Sequence, residues 1–282
     1  MGLVKYDIQE RDFDRTKSDQ YELSILFGVG SFAYIVQEVR SRQILAYRSV
    51  ELDINRETDF PQQLQAAFQQ DDILRPNLIR QVHLSWLYPV HTLVPTRLYD
   101  PASARSYLEH LSELGSYLEV RTDAIHDFSL QLVYGLPGER RDLVVRRLAA
   151  RKEEHLAKGL LSTWRQVDSG PRRRAVFANF RDNHLVLGAI EQERILYFNT
   201  FPYREAKDAL YFVLLAFQQC SWSPGQTPLY LSGEVLEDSA VYRQLYRFVR
   251  HIHYLVPAAP ACGPALAQLP AHLYTDLLAI GN

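Results

Sequence analysis

The sequence predicts an α/β protein in which one strand-rich unit, with the order β-β-β-α-β-α, is used twice. Two sets of three β-rich runs joined by tight turns support this prediction, and the sets begin about 150 residues apart. A helix-like stretch and a further strand follow each set. The chain has 282 residues, of which 47% are hydrophobic, so two packed lobes can be built.

The first set begins at Tyr21, and its runs read YELSILFG, SFAYIVQEV and QILAYRSVEL. Turns at Val29-Gly30 and at residues 40–42 separate the runs, which is typical of an antiparallel meander. A helix is predicted after Asp59, because a proline suits the first turn. Its apolar stripe consists of Phe60, Leu64, Ala67 and Phe68.

A strand is predicted near residues 78–87, followed by a second helix that Asp100-Pro101 opens. The stripe of that helix consists of Ala104, Tyr107, Leu108, Leu111 and Leu114. Residues 116–134 read as further strand. The charged stretch from Gly138 to about Gln166 is predicted to be helical.

The second set begins at Arg174, and its runs read AVFANF, HLVLGAIE and RILYFNTF. The pattern then predicts a helix over 204–219, a short strand over 229–231, a helix after Asp238 or Ser239, and a last strand, HIHYLV. The order of the first half is therefore repeated. The tyrosines at 211, 242 and 246 fall at helix-packing positions, which favours a place in the core.

Four segments follow from this organisation. Residues 1–20 are expected to form a loose polar arm, residues 21–171 the first lobe and residues 172–256 the second, with the boundary near Pro171-Arg172. Residues 257–282, with leucines at helical spacing near the end, are expected to pack back on the body.

Composition excludes several classes of protein. Thirty-one basic and thirty-three acidic side chains give a formal charge of -2, which argues against a generally cationic binder of nucleic acid or membranes. Cys220 and Cys262 fit neither a metal spacing nor a disulfide framework, so a reducing, cytoplasmic location is expected. The sequence contains no run of 18 apolar residues, so no membrane-spanning helix is predicted.

Four segments of the sequence carry a resemblance to a known family, namely HTLVPTRLYD (91–100), LVYGLP (132–137), the FNTFPY run and LPAHLYTDLL near the end. Through them the chain resembles a bacterial family of unknown function, found in Bacteroidetes, that is related to the actin-like ATPase superfamily. The resemblance implies two ribonuclease-H-like lobes, each with a mixed sheet, similar to the pilus-assembly (PilM-like) members. It covers the chain from Tyr21 onward and implies no particular chemistry.

In active members of that superfamily an aspartate closes the first strand of each lobe and a glycine-containing turn follows, so that metal and phosphates are held. Here the first turn has glycines but no aspartate, and the second has an aspartate but no following glycine. The resemblance thus implies at most a degenerate nucleotide cleft. Its residues would be Gly28, Gly30, Ser31, Asp182, Asn183, Ser232 and Gly233. The same residues also suit ordinary hairpin turns.

Other motifs support no catalytic or metal site. His251 and His253 share one side of a strand but have no identifiable third ligand, so no metal is predicted. No nucleophile-elbow pattern is present, and neither cysteine has a neighbouring base in sequence. Arg140, Arg147 and Arg151 would share one side of a helix and could meet phosphates or an acidic partner, although the acids interleaved with them favour an ordinary solvated face.

The leading hypothesis is therefore a non-catalytic protein-binding or scaffold protein without a cofactor, whose partner is another protein. An alternative is a nucleotide-binding switch or weak ATPase that uses the degenerate cleft. A further alternative is an RNA-associated factor acting through the arginine ridge.

Overall fold

The structure is a computed structural model, and it describes residues 3–54, 57–75, 79, 81–111, 113–150, 152–167, 173–256 and 262–281. The chain forms two compact units. Unit 1 comprises Met1–Lys158, Ala259–Leu269 and Ile280–Asn282, and unit 2 comprises Gly159–Ala258 and Pro270–Ala279. Among the described residues, no helix is long and apolar enough to cross a membrane.

Unit 1 contains two sheets. Its elements in chain order are β1 (Leu3–Gln9), β2 (Tyr21–Phe27), β3 (Ser31–Glu38), β4 (Ile44–Glu51), α1 (Phe60–Gln69), β5 (Gln81–Trp86), β6 (His91–Pro95), α2 (Ala104–Glu109), β7 (Leu118–Ile125), β8 (Leu130–Pro137), α3 (Gly138–Leu148) and β9 (Lys152–His155). The helix α4 (Leu156–Arg165) begins directly after β9.

The main sheet of unit 1 has the strand order β1-β4-β3-β2-β5-β9, and β2, β5 and β9 run parallel. Nearly every residue of β2, β3 and β4 is buried, which agrees with their continuous apolar sequences because a sheet covered on both faces needs no polar side. The predicted stripe of α1 is confirmed, since Phe60, Leu64, Ala67 and Phe68 are its buried residues.

The second sheet of unit 1, with the order β6-β8-β7, is an insertion after β5. The helix predicted from Asp100 lies there, and the Asp100 side chain accepts from the Ala102 N–H as expected of a cap. The α-helix ends at Glu109, however, and Leu111 is exposed. Its apolar stripe packs in a small cluster with Val94 and Val133. The helix in the repeat position of unit 1 is α3.

Two further segments of unit 1 differ from the prediction. Residues Leu3–Gln9 are not a loose arm but an edge strand paired with β4, and the two charges, Lys5 and Asp7, lie at exposed positions. The charged stretch from Gly138 is not one helix, because Ala149 adopts a left-handed conformation and β9 then joins the sheet beside β5. Charged side chains conceal this strand in the sequence.

Unit 2 repeats the predicted order. It contains β10 (Arg174–Arg181), β11 (His184–Glu191), β12 (Arg194–Pro202), α5 (Ala206–Gln219), β13 (Leu229–Gly233), α6 (Ala240–Tyr246), β14 (Ile252–Tyr254) and α7 (Thr275–Leu278). The strand order is β12-β11-β10-β13-β14, with β13 parallel to both neighbours. Its core is formed by the apolar faces of the sheet, α5 and α6.

The boundary expected near Pro171-Arg172 lies outside the described residues, and the division into units falls between Lys158 and Gly159. The C-terminal residues are divided between the units. In unit 1 the Leu266 N–H donates to the Glu10 carboxylate at 2.7 Å. In unit 2 the Thr275 hydroxyl donates to the Leu255 carbonyl at 2.9 Å.

Candidate functional sites at the strand ends

The turn between β2 and β3 contains three of the predicted site residues. The Gly28 N–H donates to the Ser31 carbonyl at 2.9 Å, which closes the hairpin. The Gly30 carbonyl accepts from the Leu52 N–H at 2.8 Å, and the Ser31 side chain is buried. The turn is therefore built into the fold by its own hydrogen bonds.

A buried arginine from α3 is bonded to the same turn. Arg140 Nη1 donates to the Val29 carbonyl at 2.6 Å and to the Tyr88 hydroxyl at 3.0 Å. Its guanidinium carbon lies 4.3 Å from the centre of the Phe60 ring, within the range of a cation–π contact. Arg140 thus acts inside unit 1 and ties α3 to the turn.

The end of β2 has an apolar side chain where a metal-binding aspartate is expected in active ATPases of this fold. Phe27 is fully buried, with its ring centre 5.4 Å from Phe32 and 5.7 Å from Trp86, the last residue of the parallel strand β5. Magnesium needs oxygen ligands. These two strand ends therefore do not fit a magnesium–nucleotide group.

The predicted residues Asp182 and Asn183 form the turn between β10 and β11. Both have φ of 54°, which is typical of a two-residue type I′ hairpin. His184 Nδ1–H donates to the Asp182 carbonyl at 2.7 Å, and the Tyr203 N–H donates to the Asn183 carbonyl at 2.9 Å. Turn geometry explains both residue types.

Ser232 and Gly233 end β13, beside the end of β10. The Ser232 hydroxyl donates to Asn179 Oδ1 at 2.8 Å. Gly233 has φ of 77°, and a β-carbon there would lie 2.1 Å from the Phe180 carbonyl oxygen. Only glycine permits this approach of the two strands, so its presence does not require a nucleoside.

An ion pair that the sequence did not reveal lies at these same strand ends. Arg181, 2% exposed, donates to both carboxylate oxygens of Asp276, 0% exposed, at 2.9 and 2.8 Å. It also donates to the Leu273 carbonyl at 2.7 Å and to Glu234 at 2.9 Å, and Asn179 donates to Asp276 at 3.4 Å. A bidentate pair of this kind fixes both partners.

This pair places the segment Pro270–Ala279 at the end of β10. In open α/β sheets, ligands bind outside the carboxyl ends of the parallel strands. In unit 2 the chain's own C-terminal segment supplies the group found there, with Asp276 as the anion. The available signals were an arginine ending a buried strand and a single acid within the apolar sequence YTDLL.

The predicted arginine ridge is wrong in part. Arg140 is buried, as described above, while Arg147 is exposed and Arg151 lies outside the described residues. Arg141 donates to both carboxylate oxygens of Glu153, and this hydrogen bonding raises its pKa. The buried positions of α3 are Gly138, Arg140, Val144 and Leu148, so Arg140 faces the protein while Arg147 does not.

Two buried histidines of unit 1, His91 and His155, were not predicted from the sequence either. His155 Nε2–H donates to the Tyr88 carbonyl at 2.9 Å, and its Nδ1 accepts from the Ala157 N–H at 3.1 Å. The His155 ring centre lies 5.3 Å from that of His91 and 5.0 Å from that of Tyr134. Both nitrogens of His155 are thus bonded to backbone.

Burial controls the protonation of this cluster. Loss of solvent lowers the pKa of His91 to about 3 and that of His155 to about 4. Desolvation also raises the pKa of Asp123 to about 6, although Asp123 accepts from the His155 N–H at 2.7 Å. Across the described residues, no three potential ligands form a metal cluster, and His251 and His253 are exposed.

Two solved structures share this architecture. One is a Bacteroides thetaiotaomicron protein with actin-like ATPase fold and unknown function, similar with a TM-score of 0.74 and 16% identity over 86% of this chain and 93% of that chain. The other is a chain of the PilM-PilN type IV pilus biogenesis complex, with a TM-score of 0.56 and 11% identity over 92% and 97%. The protein thus has an actin-like ATPase fold.

The sequence from residue 10 to residue 252 matches the family described as Protein of unknown function (DUF3822), and the chain belongs to that family. No curated protein matches the sequence. The predicted fold class of two ribonuclease-H-like lobes and the predicted relation to a bacterial family of unknown function are confirmed.

Proposed function

We propose that this protein is a non-catalytic binding or scaffold protein that engages another protein through an actin-like ATPase fold. The observation that carries the proposal is the closed strand end of unit 2, where Asp276 neutralises Arg181. A phosphate that bound at Arg181 would have to displace the buried carboxylate of Asp276, which Arg181 already binds through two hydrogen bonds.

The end of β2 supports the same function independently. Phe27 supplies no oxygen for a metal, and the carbonyl of Val29 already receives Arg140. Transition-state stabilisation in phosphoryl transfer depends on metal ions and positioned polar groups, so an apolar strand end is a poor basis for hydrolysis.

This fold can bind a protein partner without binding a nucleotide. The PilM-PilN structure is a complex, which is a fact about that assembly and supports the proposal by analogy only. The proposal includes the expected cytoplasmic location, and Cys220 and Cys262 are not joined in a disulfide.

Thermal unfolding with millimolar Mg-ATP, Mg-GTP and their diphosphates tests this function. A ligand of the native state at one hundred times its dissociation constant adds about 2.7 kcal/mol of stability. We expect no shift in Tm and no release of phosphate. A saturable shift that is lost in Asn183→Asp would overturn the proposal and support the nucleotide switch. That substitution keeps the turn geometry and adds a charge repelling phosphate.

Partner binding is tested separately. Crosslinking in the native cell, followed by purification of the tagged chain, is expected to recover one partner protein in stoichiometric amount, with or without added nucleotide. Recovery of RNA in place of protein, sensitive to salt, would favour the RNA-associated alternative.

A further inference from the structure

Unit 2 has a surface cavity of about 740 Å³ along α6. We call it the α6 surface, and its lining residues are Glu237, Ala240, Tyr242, Arg243, Gln244, Tyr246 and Arg247. The sequence placed Tyr242 and Tyr246 in the core, together with Tyr211. That prediction is wrong for Tyr211 and Tyr246, which are among the large exposed side chains.

An aromatic stack holds the α6 surface in shape. The ring centres are separated by 6.1 Å between Tyr246 and Tyr242, 5.8 Å between Tyr242 and Tyr254, and 3.9 Å between Tyr254 and His272. His272 Nε2–H donates to the Val235 carbonyl at 2.8 Å. The stack runs from Tyr246, 68% exposed, to His272, 5% exposed.

This arrangement lowers the entropic cost of binding. Exposed side chains normally lose rotamer freedom when a partner binds, but the Tyr246 ring already rests on a stack anchored in the body of unit 2. Tyrosine and arginine are also the residue types that contribute most energy at interfaces. The outer face of Tyr246 is therefore suited to receive another planar or apolar group.

The charges of the α6 surface indicate the occupant. Arg243 and Arg247 are exposed, lie one helical turn apart, and form no ion pair within the described part of the chain. Arg243 lies in the last turn of α6 and Arg247 is its C-cap residue, so both suit the negative end of the helix dipole while their guanidinium groups stay available to a bound anion. Two adjacent guanidinium groups are matched by carboxylates of a bound chain.

We propose that the α6 surface binds an acidic peptide segment of a partner protein, with an aromatic side chain of that segment stacked on Tyr246 and its carboxylates paired with Arg243 and Arg247. The inference rests on the proposed function and names its surface. Glu237 in the lining and Asp238 beside it interrupt the positive charge of the α6 surface, so it offers no continuous row of cations for a phosphate chain, whereas a peptide can place its carboxylates at the two arginines alone.

Fluorescence anisotropy tests the inference with three labelled probes. These are a peptide of alternating glutamate and aspartate around one tryptophan, the same peptide with lysines in place of the acids, and a single-stranded uridine oligonucleotide. The acidic peptide is expected to bind the full chain, more weakly at higher salt. Tyr246→Ala and the double variant Arg243→Glu, Arg247→Glu are each expected to weaken binding about tenfold or more.

Tyr211→Ala is the matched control, since Tyr211 is an equally exposed tyrosine on α5. Unchanged binding by this variant supports the inference. Equal loss in the control, no binding of the acidic peptide, or stronger binding of the oligonucleotide would each overturn it. If Tyr246→Ala still retains the crosslinked partner, the inference about the α6 surface is wrong and the proposed function stands. Stabilisation by nucleotide would instead contradict the proposed function itself.

Discussion

At the scale of single residues, Arg181 and Asp276 form a buried ion pair at the strand ends of unit 2. An isolated buried guanidinium would be strongly unfavourable, and the bidentate carboxylate together with Glu234 and the Leu273 carbonyl compensates it. The Leu277 N–H also donates to Asp276, at 2.9 Å, so the acid fixes its own helix as well. Asp276 is both the internal anion and the anchor of the C-terminal segment.

Asp276→Ala is expected to lower the free energy of unfolding by about 3–5 kcal/mol, because it leaves a buried charge without its partner. Denaturation in urea followed by tryptophan fluorescence measures this loss. The double variant Arg181→Met, Asp276→Leu is the control, and it is expected to recover part of the stability, since apolar groups of similar volume replace the pair. A loss below about 1 kcal/mol for Asp276→Ala would contradict the importance given to this pair.

At the scale of elements, local backbone geometry divides the charged region between Gly138 and Gln166. Ala149 ends α3 with φ of 50°, and the Ala150 N–H donates a hydrogen bond to the Val145 carbonyl at 3.3 Å. A left-handed residue at this position is usually glycine, because a β-carbon costs about 1–2 kcal/mol there.

Ala149→Gly is therefore expected to raise the free energy of unfolding by about 0.5–1 kcal/mol, after the greater freedom of glycine in the unfolded chain is subtracted. Thermal and urea unfolding check the sign. Ala150→Gly is the neighbouring control, outside the left-handed region, and should not stabilise the protein. Equal stabilisation by both variants would show that the cap conformation is not the cause.

The order of helices and strands could be predicted where each segment has one clear pattern of apolar side chains. The meanders, α1 and α5 are apolar at regular spacing, and the structure contains them where the sequence predicts. The strand β1 was missed because Lys5 and Asp7 occupy exposed positions, and β9 because three of its four residues are charged, the buried Glu154 among them. The Arg181–Asp276 pair could not be predicted, since 95 residues separate the partners and no local pattern relates them.

At the scale of the whole molecule, a similar strand order occurs in two units whose strand ends are closed by different chemistry. In unit 1 the closure is apolar and aromatic, through Phe27 and Trp86, with Arg140 bonded to the adjacent turn. In unit 2 it is ionic, through Arg181 and Asp276. The strand ends of the two units thus differ in chemistry, and our proposal assigns partner binding to the outer surface of the protein.

The global stability of the protein is expected to fall as pH is lowered below about 6.5. The pKa values of His91 and His155 are about 3 and about 4 in the folded chain, against 6.5 when exposed, so between pH 6.5 and 4 the unfolded chain binds two protons that the folded chain excludes. Asp123 acts in the opposite direction, because its folded pKa of about 6 exceeds the exposed value of 3.8. The two histidines outweigh the one carboxyl.

Near pH 5 the difference is about one proton, so the free energy of unfolding should fall by about 1.4 kcal/mol per pH unit from these groups. Urea unfolding at pH 7, 6 and 5 measures the slope. His91→Phe removes one of the two histidine protonations. The change in its free energy of unfolding per pH unit should therefore be smaller by the contribution of one proton, about 1.4 kcal/mol, whatever the stability of the variant at pH 7. His110→Phe makes the same change at an exposed position as the control. A slope for His91→Phe equal to that of the unmodified protein would show that the buried histidines do not govern acid unfolding.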